Sequence, residues 1–202
     1  MSEANVLKRK VRDYQKLFEQ QYCFYSLREC DKPDTGELRL VHYDEESREE
    51  FKQFCLEYEK PIRDKDLNRF KDNSSYWALL TPEKKIASWG WLAYRQPFYI
   101  KEMDTQIEMG DAETAILFDF HTDKEYRGRG YYGILLRSIV HESKGPGKYI
   151  IYARRNNPAS CRGIEKAGFY YEGEYSQAGG QMDEYLLSQG FAAITHPHFP
   201  GG

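Results

Sequence analysis

A short stretch rich in glycine and arginine, Tyr126–Gly133 (YRGRGYYG), most constrains how this chain can fold. It follows a β-branched and aromatic run, Ala115–Thr122, and overlaps the start of an apolar run with helical spacing, Tyr131–His141. Glycines let backbone N–H groups approach a phosphate, and a helix N-terminus adds unpaired donors and a positive dipole end. The order of strand, glycine turn and helix therefore predicts a pyrophosphate-binding loop. A plain surface turn beside a basic patch is the alternative.

A second motif follows further along the chain. Lys148–Arg154 is typical of a buried strand, and Asn157 before Pro158 is typical of a helix N-cap with proline at the first helical position. Gly168 suits the left-handed residue that ends such a helix. A strand and a short helix are therefore predicted here.

The first motif resembles the pyrophosphate loop of the GNAT superfamily, the acyl-CoA-dependent N-acyltransferases. The family pattern is Gln/Arg-x-x-Gly-x-Gly/Ala, and Arg127 and Gly130 match its first two places. Tyr132 stands at the third place, with Gly133 one position late. The sequence therefore departs from the pattern only at the end of the loop.

The second motif resembles a later GNAT pattern, in which an asparagine and a small residue precede Glu-Lys-x-Gly-Phe. Asn157, Ser160 and residues 165–169 (EKAGF) match it. The resemblance implies an α/β (α+β) fold, with a mixed, mostly antiparallel central sheet flanked by helices. Two splayed strands of that sheet would form the acyl-CoA cleft.

The resemblance also sets the expected domain boundaries. Residues 37–188 would form the acyltransferase domain, residues 1–36 an extension with a helix and a strand, and residues 189–202 a tail. A chain of 202 residues suits one such domain.

Acetyl-CoA is the donor that the resemblance implies. Its pantetheine arm would lie between the backbone edges Phe120–Thr122 and Ile150–Ala153. The expected donor-binding residues are Phe120, Thr122, Arg127, Gly128, Arg129, Gly130, Tyr131, Tyr132, Gly133, Asn157 and Ser160.

The general base departs from the family pattern. Relatives carry Glu or His an even number of residues before the place of Thr122, but those positions here hold apolar residues, Ile116, Phe118 and Phe120. Asp119 and His121 are the candidates, and imidazole suits proton transfer near neutral pH. Strand alternation puts both on the other face, so a β-bulge would be needed to turn one inward. Glu113, at the strand start, and a water relay are the alternatives.

The general acid departs as well. The spacing of the family tyrosine falls on Ile164, and the alternatives are Tyr170, Tyr171 and Tyr175. A missing acid does not exclude catalysis, because a thiolate leaves without full protonation.

These motifs predict an N-acetyltransferase whose acceptor is a primary amine, either an amino sugar or another small amine. A longer-chain acyltransferase is an alternative, although Phe118 and Phe120 would narrow the acyl pocket. A non-catalytic module that binds acyl-CoA is the other. The family's use of a final hairpin for pairing makes a homodimer a further hypothesis.

Composition excludes several other classes. The net charge of -3 argues against a nucleic-acid partner. No C-x-x-C pair is present, so no metal is expected, and a tail is the simpler interpretation of His196 and His198. The sequence has no apolar run long enough for a membrane span and no signal peptide, so we expect a reduced, cytoplasmic protein.

The remaining elements follow from hydrophobic spacing. Predicted helices cover Asn5–Gln21, Glu45–Tyr58 and Pro61–Lys71; predicted strands cover Tyr22–Leu27, Leu38–Tyr43, Ser75–Leu80, Ile86–Tyr94, Asp104–Met109, Ala112–Thr122, Phe169–Tyr175 and Met182–Leu187. Residues from Ala192 onward are predicted to form a loose tail. For Asn5–Gln21, a helix packed on the domain is the interpretation and a membrane-surface helix the alternative.

Overall fold

The structure is a computed structural model that describes residues 21–94, 97–109, 113–143, 145–176 and 181–194. Its strands are β1 (Gln21–Leu27), β2 (Arg39–Tyr43), β3 (Ser74–Leu80), β4 (Ile86–Ala93), β5 (Phe98–Ile100), β6 (Thr105–Met109), β7 (Thr114–Thr122), β8 (Lys148–Arg154), β9 (Tyr170–Ser176), β10 (Gln181–Met182) and β11 (Phe191–Ile194). Its helices are α1 (Arg48–Glu57), α2 (Asp64–Lys71), α3 (Tyr131–Glu142), α4 (Pro158–Lys166) and α5 (Glu184–Ser188). Within these ranges, no helix combines the length and apolar character needed to cross a membrane.

Eight strands form one sheet in the order β10-β9-β1-β8-β7-β4-β3-β2. β7 and β8 run parallel, and the other neighbouring pairs are antiparallel. A smaller sheet has the order β11-β6-β5. The mixed, mostly antiparallel sheet flanked by helices confirms the predicted fold class.

The large sheet is covered on both faces. On one face, which we call the helical face, Leu135 of α3 and Ile164 of α4 are fully buried. On the opposite face, the aromatic face, Phe51 of α1 packs against Tyr76 and Trp91, with ring centroids 5.0 and 6.2 Å away. Burial of these apolar and aromatic side chains is the main stabilising contribution to the domain.

Strand β1 lies inside the large sheet, between β8 and β9. Tyr22 pairs with Arg154 on one side and with Tyr175 on the other. The strand itself was correctly predicted, but it belongs to the sheet rather than to an extension outside it. All but the first of its residues are buried, as an internal strand covered on both faces requires.

The parallel ladder between β7 and β8 is short. Its last pair is Leu117 with Ile151, although β7 continues to Thr122 and β8 to Arg154. The two strands therefore separate beyond this pair, as the family resemblance implied. Ile150 and Ile151 are still paired, so the open edge of β8 begins later than predicted, at residue 152.

A β-bulge interrupts the pairing of β4 with β7 opposite Gly90. The flanking pairs are Trp89 with His121 and Trp91 with Phe118. Two residues of β7, Asp119 and Phe120, therefore face Gly90 alone, and Asp119 has a left-handed φ of 52°. A Cβ on Gly90 would lie 2.4 Å from the Phe120 ring, so only glycine leaves room for that ring.

The bulge reverses the alternation of side chains at the end of β7. The His121 ring centroid lies 5.6 Å from that of Trp89, on the aromatic face, while Phe120 packs on the helical face. Asp119 also turns toward the aromatic face, where it meets Arg69 of α2. Simple alternation would place Asp119 and His121 on the helical face, and the bulge turns both of them over.

One strand and the C-terminal tail were placed wrongly by the sequence predictions. β6 does not continue the large sheet, because β7 already pairs with β4 and β8 on its two edges, and β6 pairs with β5 and β11 instead. The loose tail predicted from Ala192 is wrong for residues 192–194, which belong to β11. Phe191, at the start of β11, is buried against Phe24, and this contact fixes the strand.

The predicted strand Met182–Leu187 is wrong after its first residue. The Asp183 carboxylate accepts hydrogen bonds from the backbone N–H groups of Glu174 and Leu186, at 2.7 and 2.9 Å. These bonds end β10 and cap α5, because a short acidic side chain competes with the strand ladder for backbone donors. The predicted helix Asn5–Gln21 and the pair His196 and His198 lie outside the described residues.

Replacing Gly90 with alanine tests the bulge. The added methyl group overlaps the Phe120 ring, so we expect the free energy of unfolding to fall by about 1–3 kcal/mol in urea titrations. Gly133→Ala is the control, because its added Cβ would meet only ordinary contacts, the nearest at 3.8 Å, and alanine favours helix. Equal stability of Gly90→Ala and the unmodified chain would contradict this packing.

Candidate active site

A cavity of about 1030 Å³ opens where β7 and β8 separate. It brings together residues from β7, the glycine loop, α3, β8 and α4. Among the predicted site residues, those that line it are Asp119, Phe120, His121, Thr122, Arg127, Gly128, Gly130, Tyr131, Tyr132, Gly133, Asn157 and Ser160. Arg129 does not line it; its guanidinium lies over the Tyr126 ring, 5.4 Å from the centroid.

The glycine loop has the backbone that an anion cradle needs. Gly128 and Gly130 both have φ of +80°, a region costly for other residues, and space is open where a side chain would project. Gly130 is the N-cap of α3, so the unpaired N–H groups of the first helical turn face the cavity mouth. Arg127 adds a fixed positive charge, because its Nε donates to the backbone oxygen of Thr122 at 3.1 Å. The arrangement suits a phosphate or pyrophosphate.

Tyr132, which replaces a small residue of the family motif, packs between β7 and α4. Its ring centroid lies 5.8 Å from that of Phe120, edge to face, and its hydroxyl lies 3.4 Å from Ser160 Oγ. Gly163 of α4 provides the space, since a Cβ there would lie 2.7 Å from the Tyr132 ring. Burial raises the pKa of Tyr132 to about 12, so its phenol stays protonated at neutral pH.

Asn157 starts α4 and faces the same cavity. Its side-chain oxygen accepts a hydrogen bond from the backbone N–H of Ser160 at 3.2 Å, and Pro158 follows at the helix start. This is the N-cap that the sequence predicted. The capping bond also fixes the Ser160 end of the cavity wall.

His121 is exposed and lies on the aromatic side of the cavity. Its ring lies beside Trp89, and its backbone oxygen accepts a hydrogen bond from Ser88 Oγ at 3.0 Å. The imidazole can therefore reach a ligand that enters from this side.

Asp119 is held in an ionic network with α2. Its carboxylate lies 2.7 Å from Arg69 Nη2 and 3.9 Å from Lys65 Nζ. Arg69 also lies 3.5 Å from the buried carboxylate of Asp66, which Arg63 contacts at 2.9 Å. Because Arg69 and Lys65 contact this carboxylate, it is the less available of the two candidate bases to an acceptor amine.

The alternatives for acid and base do not reach the cavity. Ile164 is fully buried; Tyr170 and Tyr171 are exposed on β9, away from the cavity lining. Tyr175 is buried and its hydroxyl lies 3.0 Å from Thr105 Oγ1. Glu113 precedes β7 at the paired end of the two strands, opposite to the cavity.

Sequence reasoning missed one wall of the cavity. Tyr22, Glu102, Tyr152 and Arg154 line it on the aromatic side. Strand alternation could have placed Tyr152 and Arg154 on the same face of β8. No local pattern marks Glu102, because its contacts are with residues far away in the chain.

Comparison with known protein families identifies the family of this chain. The model of the acetyltransferase (GNAT) family matches residues 24–169, so the chain belongs to the GNAT acetyltransferase family. Comparison with curated proteins found no match.

Solved structures with a related chain path include a GNAT-family protein from Novosphingobium aromaticivorans (16% identity, 77% of this chain and 61% of that chain, TM-score 0.48). An acetyltransferase from the GNAT family of Colwellia psychrerythraea matches with 15% identity, 75% and 52% coverage, and a TM-score of 0.46. An aminoglycoside antibiotic 6'-N-acetyltransferase from Acinetobacter baumannii matches with 13% identity, 66% and 90% coverage, and a TM-score of 0.42. The chain thus spans 61% and 52% of the length of the first two proteins.

Replacing Arg69 with methionine tests the ionic network beside the bulge. The change keeps the apolar stem but removes the closer of the two cations that contact Asp119 among the described residues, and it also removes a contact with the buried Asp66 carboxylate. We therefore expect the free energy of unfolding to fall by about 1–3 kcal/mol. Lys65→Met, at an exposed and longer contact, should cost about 0.5 kcal/mol or less. A double-mutant cycle of Arg69→Met with Asp119→Asn measures the coupling, and a value of zero would show that the contact contributes nothing.

Proposed function

We propose that this protein transfers an acetyl group from acetyl-CoA to the nitrogen of a small primary amine. One observation carries the proposal: the left-handed glycine loop at the start of α3 and the open gap between β7 and β8 share a single cavity. An anion cradle beside two unpaired strand edges suits a long ligand with a pyrophosphate at one end and an amide-rich arm at the other.

The donor side of the cavity supports this fit. Gly128 and Gly130 leave the backbone N–H groups accessible, and Arg127 supplies charge at the mouth. Arg162 and Lys166 of α4 also line the cavity, so further positive charge is available for phosphate groups. The unpaired inner edges of β7 and β8 offer backbone donors and acceptors to the pantetheine arm.

A short acyl group suits the gap better than a long one. Phe118, Phe120 and Tyr132 all line the cavity near the point where the strands separate. Their rings occupy the volume that a longer acyl chain would need. This crowding favours an acetyl donor.

His121 is the group we assign to remove the proton from the acceptor amine. It lies on the aromatic face, opposite to the glycine loop, and among the described residues no ion pair holds it as Arg69 holds Asp119. In the transfer, the amine nitrogen forms a bond to the acetyl carbon and the carbon–sulfur bond breaks. The imidazole takes the proton from nitrogen, and the thiolate leaves.

An amino sugar is the acceptor class to screen first, followed by other small amines. The predicted cytoplasmic location and homodimer form part of the same proposal.

Isothermal titration with acetyl-CoA tests the donor site. We expect micromolar binding by the unmodified chain, weaker binding of a longer acyl-CoA, and loss of binding in Gly130→Glu. The glutamate adds bulk and negative charge where the pyrophosphate would lie, and its φ of +80° is unfavourable for a side chain.

Gly36→Glu is the matched control. Gly36 also has a positive φ, +54°, with open space around it, but it lies in a turn between β1 and β2 and does not line the cavity. It should bind acetyl-CoA like the unmodified chain. Undiminished affinity in Gly130→Glu would reject the loop as the donor site.

Replacing His121 with alanine tests the proton acceptor. We expect kcat for amine-dependent CoA release to fall about 100-fold or more, while acetyl-CoA affinity changes by no more than about twofold. A fall in kcat with retained acetyl-CoA affinity would place His121 in the transfer step rather than in donor binding.

His42→Ala is a close control for this substitution. His42 is another exposed strand histidine beside a tryptophan, with its ring 4.6 Å from that of Trp77, and it does not line this cavity. An unchanged kcat in His121→Ala would assign proton removal to another group or to water.

A further inference from the structure

The acceptor side of the cavity carries two opposite charges on one aromatic wall. Glu102, in the loop between β5 and β6, and Arg154, the last residue of β8, both line the cavity. Tyr22 of β1 and Tyr152 of β8 lie between them, with their ring centroids 6.5 Å apart and edge to face. This wall is on the aromatic face, the same side of the sheet as His121.

Two tyrosine hydroxyls hold the Glu102 segment in place. Tyr22 donates to the backbone oxygen of Glu102 at 2.7 Å, and Tyr152 donates to its carboxylate at 3.4 Å. Burial raises the pKa of Tyr152 well above its ordinary value, so its phenol remains a donor. Phe24 packs against the Tyr152 ring, with centroids 6.0 Å apart, and supports it from β1. The carboxylate is therefore anchored by packed strands although its loop is exposed.

Arg154 is set against the same tyrosine pair. Its guanidinium carbon lies 5.8 Å from the centroid of the Tyr22 ring. The register of β1 and β8 explains this, since Tyr22 and Arg154 are cross-strand partners. The charge thus projects beside the tyrosine ring.

Neither charge is neutralised within the described part of the chain. No ion pair joins Glu102 or Arg154 to another described residue, whereas Asp119, the other carboxylate that lines the cavity, is paired with Arg69. Both side chains are solvent-exposed and so keep their charge available to a ligand. A ligand that carries an ammonium and an anionic group would pair with both.

We propose that the acceptor is an amine that also carries an anionic group, with Glu102 binding the ammonium and Arg154 the anion. The proposal rests on the acetyl transfer proposed above and narrows its acceptor. Glu102 on the β8 side and His121 on β7 both line the gap, so an ammonium held by Glu102 faces the side that carries His121. The ammonium gives one proton to water to become the nucleophilic amine, and His121 takes the second proton as the bond to the acetyl carbon forms. Two sources supply an anion of the required sign, the carboxylate of an amino acid and the phosphate of an amino sugar phosphate.

Two matched acceptor pairs test this proposal with the full chain. One pair is β-alanine and β-alaninamide; the other is glucosamine 6-phosphate and glucosamine. Each is assayed by thiol release from acetyl-CoA. We expect kcat/KM for the anionic member to exceed that of its neutral partner at least 10-fold in one pair, which identifies the source of the anion. Arg154→Gln should reduce that ratio to about one, and Glu102→Gln should lower kcat/KM for both members through KM.

The control variants remove one positive and one negative charge at residues that do not line the cavity. Arg155→Gln acts on the neighbour of Arg154, which pairs with Glu174 instead, and Glu108→Gln acts on an exposed carboxylate of β6. Both should keep the ratio of the unmodified chain. A ratio near one in the unmodified chain, or an unchanged ratio in Arg154→Gln, overturns the proposal.

Direct binding separates this proposal from the acetyl transfer on which it rests. Titration of each acceptor into the protein, with CoA present and absent, does not depend on turnover. Preferential binding of an anionic amine that Arg154→Gln abolishes supports the charge pair even when no acetyl transfer occurs. Normal acetyl-CoA binding and turnover with no preference for anionic amines rejects the charge pair alone.

Discussion

The parallel ladder between β7 and β8 ends at Leu117 and Ile151, and the cavity exists because both strands continue past that pair. Each is kept extended from its outer side, β7 by β4 and β8 by β1, so neither strand can close the gap. Backbone groups along the inner edges are then left for a ligand to satisfy. The same end of β7 leads into the glycine loop and α3, so the anion cradle and the gap open into one cavity.

A second constraint, the bulge opposite Gly90, decides which side chains of β7 lie on the acceptor side of the cavity. Without the extra residue, regular alternation along β7 would place the His121 side chain on the helical face, toward α3. With it, His121 joins the aromatic face, and Asp119 reaches Arg69. The bulge depends on Gly90, because the Phe120 ring occupies the space that a side chain at this position would need. The donor and acceptor sides thereby fall on opposite faces of one sheet.

Much of the donor side could be predicted from the sequence, because its features depend on neighbouring residues. Gly128 and Gly130 have the left-handed backbone that the loop motif implied, and Asn157 caps α4 as Asn-Pro predicted. The acceptor side could not be predicted in this way. Glu102 reaches the cavity through contacts with Tyr22 and Tyr152, which are 80 and 50 residues away in the chain.

By itself, the sequence determined most of the described strands and helices, the glycine loop and the capping of α4, since hydrophobic spacing, glycine and proline act over a few residues. Only the tertiary structure decided that β1 is internal, that β6 pairs with β11, and on which face His121 lies. Those outcomes depend on strand register and on packing between distant segments. A single extra residue in one strand changes the face of every side chain beyond it, and no local pattern records that change.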